Sequence, residues 1–376
     1  MEFHYHLPVN ILFGRGTVSR IGELAIPYGI RALIVTGHNS TKKSGLLDRV
    51  IHYLNKEGIT CVVFDKVRRN PLTTTALEAA ETARINQCEM VIGVGGGSVL
   101  DCAKAAAFMS VNDGDINDYI FQRISGYQAL PILLIPTTCG TGSEGNGFAV
   151  LTNPETGDKK SLRCNAIVAK VSIIDSECMM TMPKSVLASV GYDALCHCME
   201  AYISKLSQPM TDVICQSGME AIGKYLIPVF LGEDCPEAWD ALSLASTFGG
   251  MAIHSAGVTV AHGMEHPVSG LKDVVHGKGL AALTPIVMEK SLSKMSDKYT
   301  EIAKYIGGSS ALDLPDRLRW FQSQLNLEVR LRDFGIQETD LSWLTENCMK
   351  VSASGLHAHP VCFSQDEIYQ IYEQAL

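Results

Sequence analysis

Short apolar runs alternate with longer amphipathic stretches through the first half of this chain. Residues 32–36 (ALIVT), 60–64 (TCVVF), 90–94 (MVIGV), 131–136 (PILLIP) and 167–175 (IVAKVSIID) read as strands. Between them, 40–58 reads as a helix closing at Gly58, 73–86 as a second, and a third follows the glycines at 95–97. Strand, helix, strand at this spacing predicts a parallel sheet whose ligands sit at the carboxyl ends of its strands. After Thr181 helical periodicity takes over and strand-like runs nearly vanish, with Pro183 at the junction. The expected architecture is α/β followed by all-α: residues 1–181 as a parallel α/β domain and 182–376 as an all-helical one. Sites commonly form in the cleft between two such domains.

Composition narrows the function. A chain of 376 residues with 46% hydrophobic and 19% charged residues fits a soluble, enzyme-like protein with a large core. Its net charge of -9 argues against nucleic-acid or anionic-membrane partners. No apolar run long enough to span a bilayer is present, and MEFHYHLPVN lacks a basic flank and apolar core, so the expected location is cytoplasmic. The 12 cysteines are scattered singly and read as reduced, packing thiols.

Two loops in the first domain are suited to a dinucleotide. In GVGGGSVLD (93–101) a strand ends in small residues and a helix begins, so free amides and a positive helix end face a diphosphate. Ser98 is placed to cap that helix, and Asp101 to complete something close to a capping box. The usual third glycine is replaced by Ser98, and no acidic residue ends a following strand about 20 residues on. The second loop, TTCGTGSE (137–144), offers hydroxyls and glycines for ribose, phosphate and nicotinamide. A Rossmann-like role follows for 1–181. The first strand ends in TGHNSTKKSG, where Gly37, Asn39, Ser40, Lys42 and Lys43 leave no acid to repel a 2′-phosphate, which favours NADP(H) while leaving NAD(H) open.

The stretch Gly257–Gly279 packs three histidines into a glycine-punctuated run. His262 and His266 are four apart and share one helix face, while His276 lies beyond Pro267 and Gly270, expected to interrupt or turn that helix. Upstream, Asp193 and His197 are again four apart. Asp193, His197, His262 and His276 would make a four-ligand metal set, leaving His266 beside the ion, and the donor types do not choose among Fe, Zn, Co, Ni or Mn. His254 is expected to be structural. Cys196 and Cys198 diverge from His197 by about 100° around the helix and are expected to pack. The stretches 191–202 and 257–279 hold only Lys272 and Lys278 as Lys or Arg residues, which mildly disfavours strongly anionic substrates.

The motifs FGRG (13–16), GGGSVLDCAK, PTTCGTGSE, MPKSVLASVGYDALCHCMEAY and GVTVAHGMEHPVSGLKDVVHGKG resemble, in order, those of the iron-containing (group III) alcohol dehydrogenases. The resemblance runs nearly end to end and implies a dehydroquinate synthase-like fold, with an all-helical metal-binding and substrate domain over 182–376. It implies Asp193, His197, His262 and His276 as ligands of Fe2+ or, alternatively, Zn2+. It places His266 in proton relay, Gly95, Gly96, Gly97, Ser98 and Asp101 at the pyrophosphate loop, and Thr137, Thr138, Thr141 and Lys160 at other cofactor contacts. It further implies a homodimer acting on a small alcohol or aldehyde. Departures are Cys139 for a common Ala, CHC for a more usual Thr-His-Ala, and a tail, GLHAHPVCFS, without Asn-Pro-Arg. The reading is thus a metal-dependent, NADP-preferring alcohol dehydrogenase or aldehyde reductase. Its alternatives are a metal- and nicotinamide-dependent lyase on the same fold, and a non-catalytic metal or nucleotide sensor.

Overall fold

A computed structural model describes residues 2–376 apart from 234 and 295. The strands in chain order are β1 (Ile11–Phe13), β2 (Arg31–Gly37), β3 (Thr60–Val67), β4 (Met90–Gly95), β5 (Ile132–Pro136), β6 (Phe148–Thr152), β7 (Lys159–Arg163) and β8 (Val171–Ile174). Six of them form one sheet in the order β1-β8-β5-β4-β2-β3, every pairing parallel, and β6 and β7 form a separate antiparallel hairpin. β4 and β5 are buried along their whole length, which is why both read as unbroken apolar runs. Alternate residues serve opposite faces: Leu33 and Val35 join one core cluster, Ala32 and Ile34 the other.

The chain steps outward from β2 to β3, then returns past β2 to β4. This reversal opens a crevice between the carboxyl ends of β2 and β4, marked by Gly37 and Gly95.

Several local expectations are corrected. β1 and the hairpin were not readable as strands, the first for being three residues long and the second for carrying Lys159, Lys160 and Arg163 in place of an apolar alternation. The 40–58 segment is two helices, Ser40–Lys43 and Leu46–Lys56, broken where Gly45 takes φ 71°. β3 continues to Val67, three residues past the apolar run, and so includes Asp65. The 167–175 strand shortens to β8 behind a tight turn over Asn165–Ile167.

Within the helical half, the Lys184–Ile203 helix is buried almost completely from Leu187 onward, as expected of a helix apolar on all sides. It packs against the helices Pro209–Leu231, Pro236–Ala256 and His276–Ser291. Pro267 and Gly270 do not break the helix that carries His262; it runs Val260–Lys272, and the turn falls at Asp273, whose φ is 49°. Proline removes one backbone donor, which orphans the carbonyl four residues earlier. Here the Ser352 hydroxyl donates to that carbonyl, on Gly263, at 2.9 Å. The same repair recurs at Pro285, where the Gln322 amide donates to Ala281 O at 2.8 Å.

The two halves are tied beside the cleft. Asn70, in the turn after β3, donates to Asp273 and to Val274 O, and accepts from Lys159. Across the cleft floor, Gly250 lies so close to Gly142 that a Cβ on it would stand 1.9 Å from Gly142 O.

Candidate metal and cofactor site

Three helices converge on one carboxylate. Asp193 and His197 project from the Lys184–Ile203 helix, His262 from Val260–Lys272, and His276 opens the next helix. Asp193 Oδ1 lies 3.4 Å from His262 Nε2, 3.6 Å from His276 Nε2 and 3.8 Å from His197 Nε2. The other nitrogen of each ring is held from behind. His262 Nδ1 is 2.5 Å from Glu200 Oε1, His276 Nδ1 meets Glu265 Oε2, and His197 Nδ1 is 3.3 Å from Gly140 O. Each acceptor fixes the tautomer with Nδ1 protonated, so every free Nε2 lone pair points at the same spot.

The donor set fits a metal ion. Tetrahedral ligation at about 2.1 Å requires donor–donor separations of about 3.4 Å, close to those seen. Asp193 Oδ1 and His262 Nε2 are both buried without any hydrogen-bond partner, an expensive condition unless a cation satisfies them. The electrostatics agree. Burial disfavours a charged His262, yet Glu200 and Asp193 outweigh it and push the imidazole up to about 10, so this position attracts positive charge. Asp193, His262 and His276 form the tightest set; His197 stands 3.8 Å from Asp193 and stacks on His262 with ring centroids 4.5 Å apart. Glu265 and His266 also lie near His276, but the Glu265 carboxylate is already taken by His276, Ser269 and Lys159 and serves as a brace.

A cleft joins this cluster to the nucleotide end, and Gly97, Ser98, Asp101, Thr141, Asp193, His197, His262, His266 and His276 all line it. The two glycine loops interlock: a Cβ on Gly97 would lie 2.2 Å from Thr141 Cγ2, so only glycine lets the loops close on a ligand this tightly. Thr138 lies against Gly96, and the Thr137 amide donates to Gly95 O. The capping expectation fails. Gly96 is the N-cap and has no side-chain bond, while buried Asp101 accepts from Ser143 Oγ at 2.6 Å and from Val150 N at 3.0 Å. Its carboxylate thus ties the phosphate-loop helix to the second loop and the hairpin. Gly37 ends β2 and Asn39 and Ser40 begin the following helix, outside this cleft, with Lys42 paired to Asp65. Lys160 donates to Val351 O at 2.5 Å and lines a side pocket that shares His266 with the main cleft.

His266 sits 5.9 Å from His276 and 6.5 Å from His262 by ring centroid. Burial, with Lys159 and the other imidazoles, depresses its pKa well below the usual range and keeps it neutral. His254 is structural, as expected: its Nδ1 accepts from Gly147 N, and its ring stacks on Phe148. Cys196 and Cys198 pack, and all twelve thiols are free. Burial pushes Cys139 and Cys198 up to about 12, which leaves them inert. The tail without Asn-Pro-Arg buries His359 against Ser291 Oγ.

The family profile described as iron-containing alcohol dehydrogenase matches residues 8–176, and its C-terminal counterpart matches 187–376. The chain belongs to the iron-containing alcohol dehydrogenase family. It is 33% identical to 1,3-propanediol dehydrogenase of Klebsiella pneumoniae, over 99% of this chain and 98% of that one. Among solved structures, an alcohol dehydrogenase from a Red Sea brine pool archaeon shares 30% identity with a TM-score of 0.94, covering 100% and 99% of the two chains. An NADH-dependent butanol dehydrogenase from Thermotoga maritima shares 32% with a TM-score of 0.92, covering 100% and 98%. Membership makes this a metal-dependent alcohol dehydrogenase using a nicotinamide cofactor, and the lyase and sensor alternatives are not favoured. No helix among the described residues is long and apolar enough to cross a membrane.

The braces Glu200 and Glu265 were missed in the sequence. Glu200 lies three residues after His197 and Glu265 three after His262, but each serves a histidine elsewhere in the chain: Glu200 serves His262, and Glu265 serves His276.

Proposed function

We propose that this chain interconverts small aldehydes and primary alcohols, preferring NADP(H) to NAD(H), with Asp193, His197, His262 and His276 holding Fe2+ or Zn2+. The observation that carries this reading is the convergence of three braced imidazoles on Asp193, in one cleft with the Gly95–Ser98 loop. When bound, the metal supplies a Lewis acid for the substrate oxygen and the nicotinamide supplies or accepts hydride. The chain's own residues do the rest. Gly96 and Gly97 admit the diphosphate to the helix N-terminus, Thr137, Thr138 and Thr141 position the nicotinamide half, and Lys160 contacts the cofactor from β7. His266, neutral and sheltered, relays a proton to the nascent alkoxide through water or a cofactor hydroxyl.

The direct test is consumption of NADPH and NADH by anaerobically purified protein with Fe2+ or Zn2+ over a panel of small aldehydes. Metal-dependent oxidation is expected, faster with NADPH; no turnover with metal and nucleotide both bound would refute the reading.

Two substitutions probe its parts. His266→Ala should keep its metal but lower kcat about 100-fold, most at high pH where external proton donors are scarce; unchanged kinetics would remove His266 from the relay. NADP(H) preference rests on β2 ending in Gly37, and on the nearby Asp65 being paired with Lys42 and so ill-placed to repel a 2′-phosphate. Gly37→Asp should therefore move the kcat/KM ratio toward NADH by about tenfold or more; an unmoved ratio would mean the ribose lies elsewhere. The same proposal includes a cytoplasmic homodimer, for which sedimentation should return twice the chain mass.

A further inference from the structure

The stretches that supply the metal ligands are poor in cations, but the fold brings cations to them from β7. Lys159, Ser161 and Arg163 line the metal cleft, and Lys160, Ser161 and Arg163 line a small side pocket that opens beside His266. The three cations are not equivalent. Lys159 is spoken for by Glu265 and Asn70. Lys160 donates to the Val351 carbonyl and lies over the Phe121 ring. Arg163 stacks its guanidinium 4.7 Å from the centroid of Phe148, its cross-strand partner, and among the described residues no carboxylate pairs with it. Lys160 is half-buried, which works against its charge, whereas Arg163 is exposed to solvent and, among the described residues, has no carboxylate on it.

A stacked guanidinium keeps its donors in plane and free at the edge, the geometry that grips two oxygens of an acid group at once. Ser354 and the Gly355 backbone complete the far wall of the side pocket, which contains no residue of the Gly95–Ser98 loop. A substrate whose carbonyl lies by the metal cluster would extend past His266 with its other end at Arg163.

We propose that Arg163 recognises an acid group on the substrate, so that the preferred substrate is a small aldehyde carrying a carboxylate, sulfonate or phosphonate a few bonds from the reacting carbon. This rests on the reductase reading above and specifies its substrate class. The cofactor diphosphate is the other anion that could meet Arg163, and the test separates the two.

The experiment compares 4-oxobutanoate with its methyl ester, which differs in charge at the far end. The wild-type enzyme is expected to have the higher kcat/KM on the acid. Arg163→Gln should lower the acid-to-ester ratio about 10- to 100-fold, and Arg163→Lys should recover part of it. Calorimetric titration of 4-hydroxybutanoate into the NADPH-loaded enzyme, where no reaction follows, should weaken by a similar factor in Arg163→Gln. A wild-type enzyme indifferent to the charge, or a ratio that survives Arg163→Gln, overturns the proposal. A KM for NADPH that rises while the ratio holds assigns Arg163 to the cofactor and overturns it equally. If neither aldehyde is turned over, the reductase reading fails, and the calorimetric comparison decides the acid site alone.

Discussion

His262→Ala is expected to be isolated with less than about a tenth of the wild-type metal content and with kcat/KM lower by roughly 1,000-fold or more. His262 makes the shortest approach to Asp193 among the three imidazoles, at 3.4 Å, and its Nε2 is one of two buried atoms in the cluster without a partner. Removing the ring leaves Asp193 facing two imidazoles and exposes Glu200 as a buried carboxylate with one partner lost. Metal analysis of the purified variant, with circular dichroism to confirm folding, checks this. A folded variant that keeps both its metal and its turnover would mean the ligand set is wrong.

The second large effect belongs to a residue that touches neither metal nor substrate. Glu200 is fully buried; one carboxylate oxygen faces His262 Nδ1, and the other accepts from Thr259 N at 2.6 Å and Thr259 Oγ1 at 2.7 Å. In Glu200→Gln the amide oxygen can satisfy Thr259 only by turning the NH2 toward Nδ1. The imidazole must then carry its proton on Nε2, where it cannot bind a metal. Metal affinity should fall about 10- to 100-fold, with activity at limiting metal falling in parallel and returning as metal is raised. Competition titration with a chromophoric chelator measures this directly. Unchanged affinity would show that the tautomer of His262 is set by something other than Glu200.

Much of this site was legible along the chain because its spacing is local. Asp193 with His197 and His262 with His266 are each one helical turn apart, and GVGGGSVLD follows a strand directly, so neighbours in sequence are neighbours in space. What was misread involves groups satisfied from far away. Pro267 looked like a helix break because its lost hydrogen bond is repaired by Ser352, and Asp101 looked like a cap because its true partners, Ser143 and Val150, lie in another loop and a strand. The cations of β7, Lys159, Lys160 and Arg163, reach the cleft or its side pocket from outside the metal stretches, so a count within those stretches does not include them.

Apolar periodicity determined five of the six strands of the sheet, the change to an all-helical half and the order of the sheet's helices, since burial of one face or of a whole strand must be written into consecutive residues. The sequence also supplied the candidate ligand types, because only certain side chains can donate to an ion. The tertiary structure alone decided which nitrogen of each histidine faces Asp193, since that depends on Glu200, Glu265 and Gly140 O arriving from other segments. It likewise decided which charges remain uncompensated in the cleft. Tautomers and unpaired charges are properties of neighbours in space, and a one-dimensional pattern does not encode them.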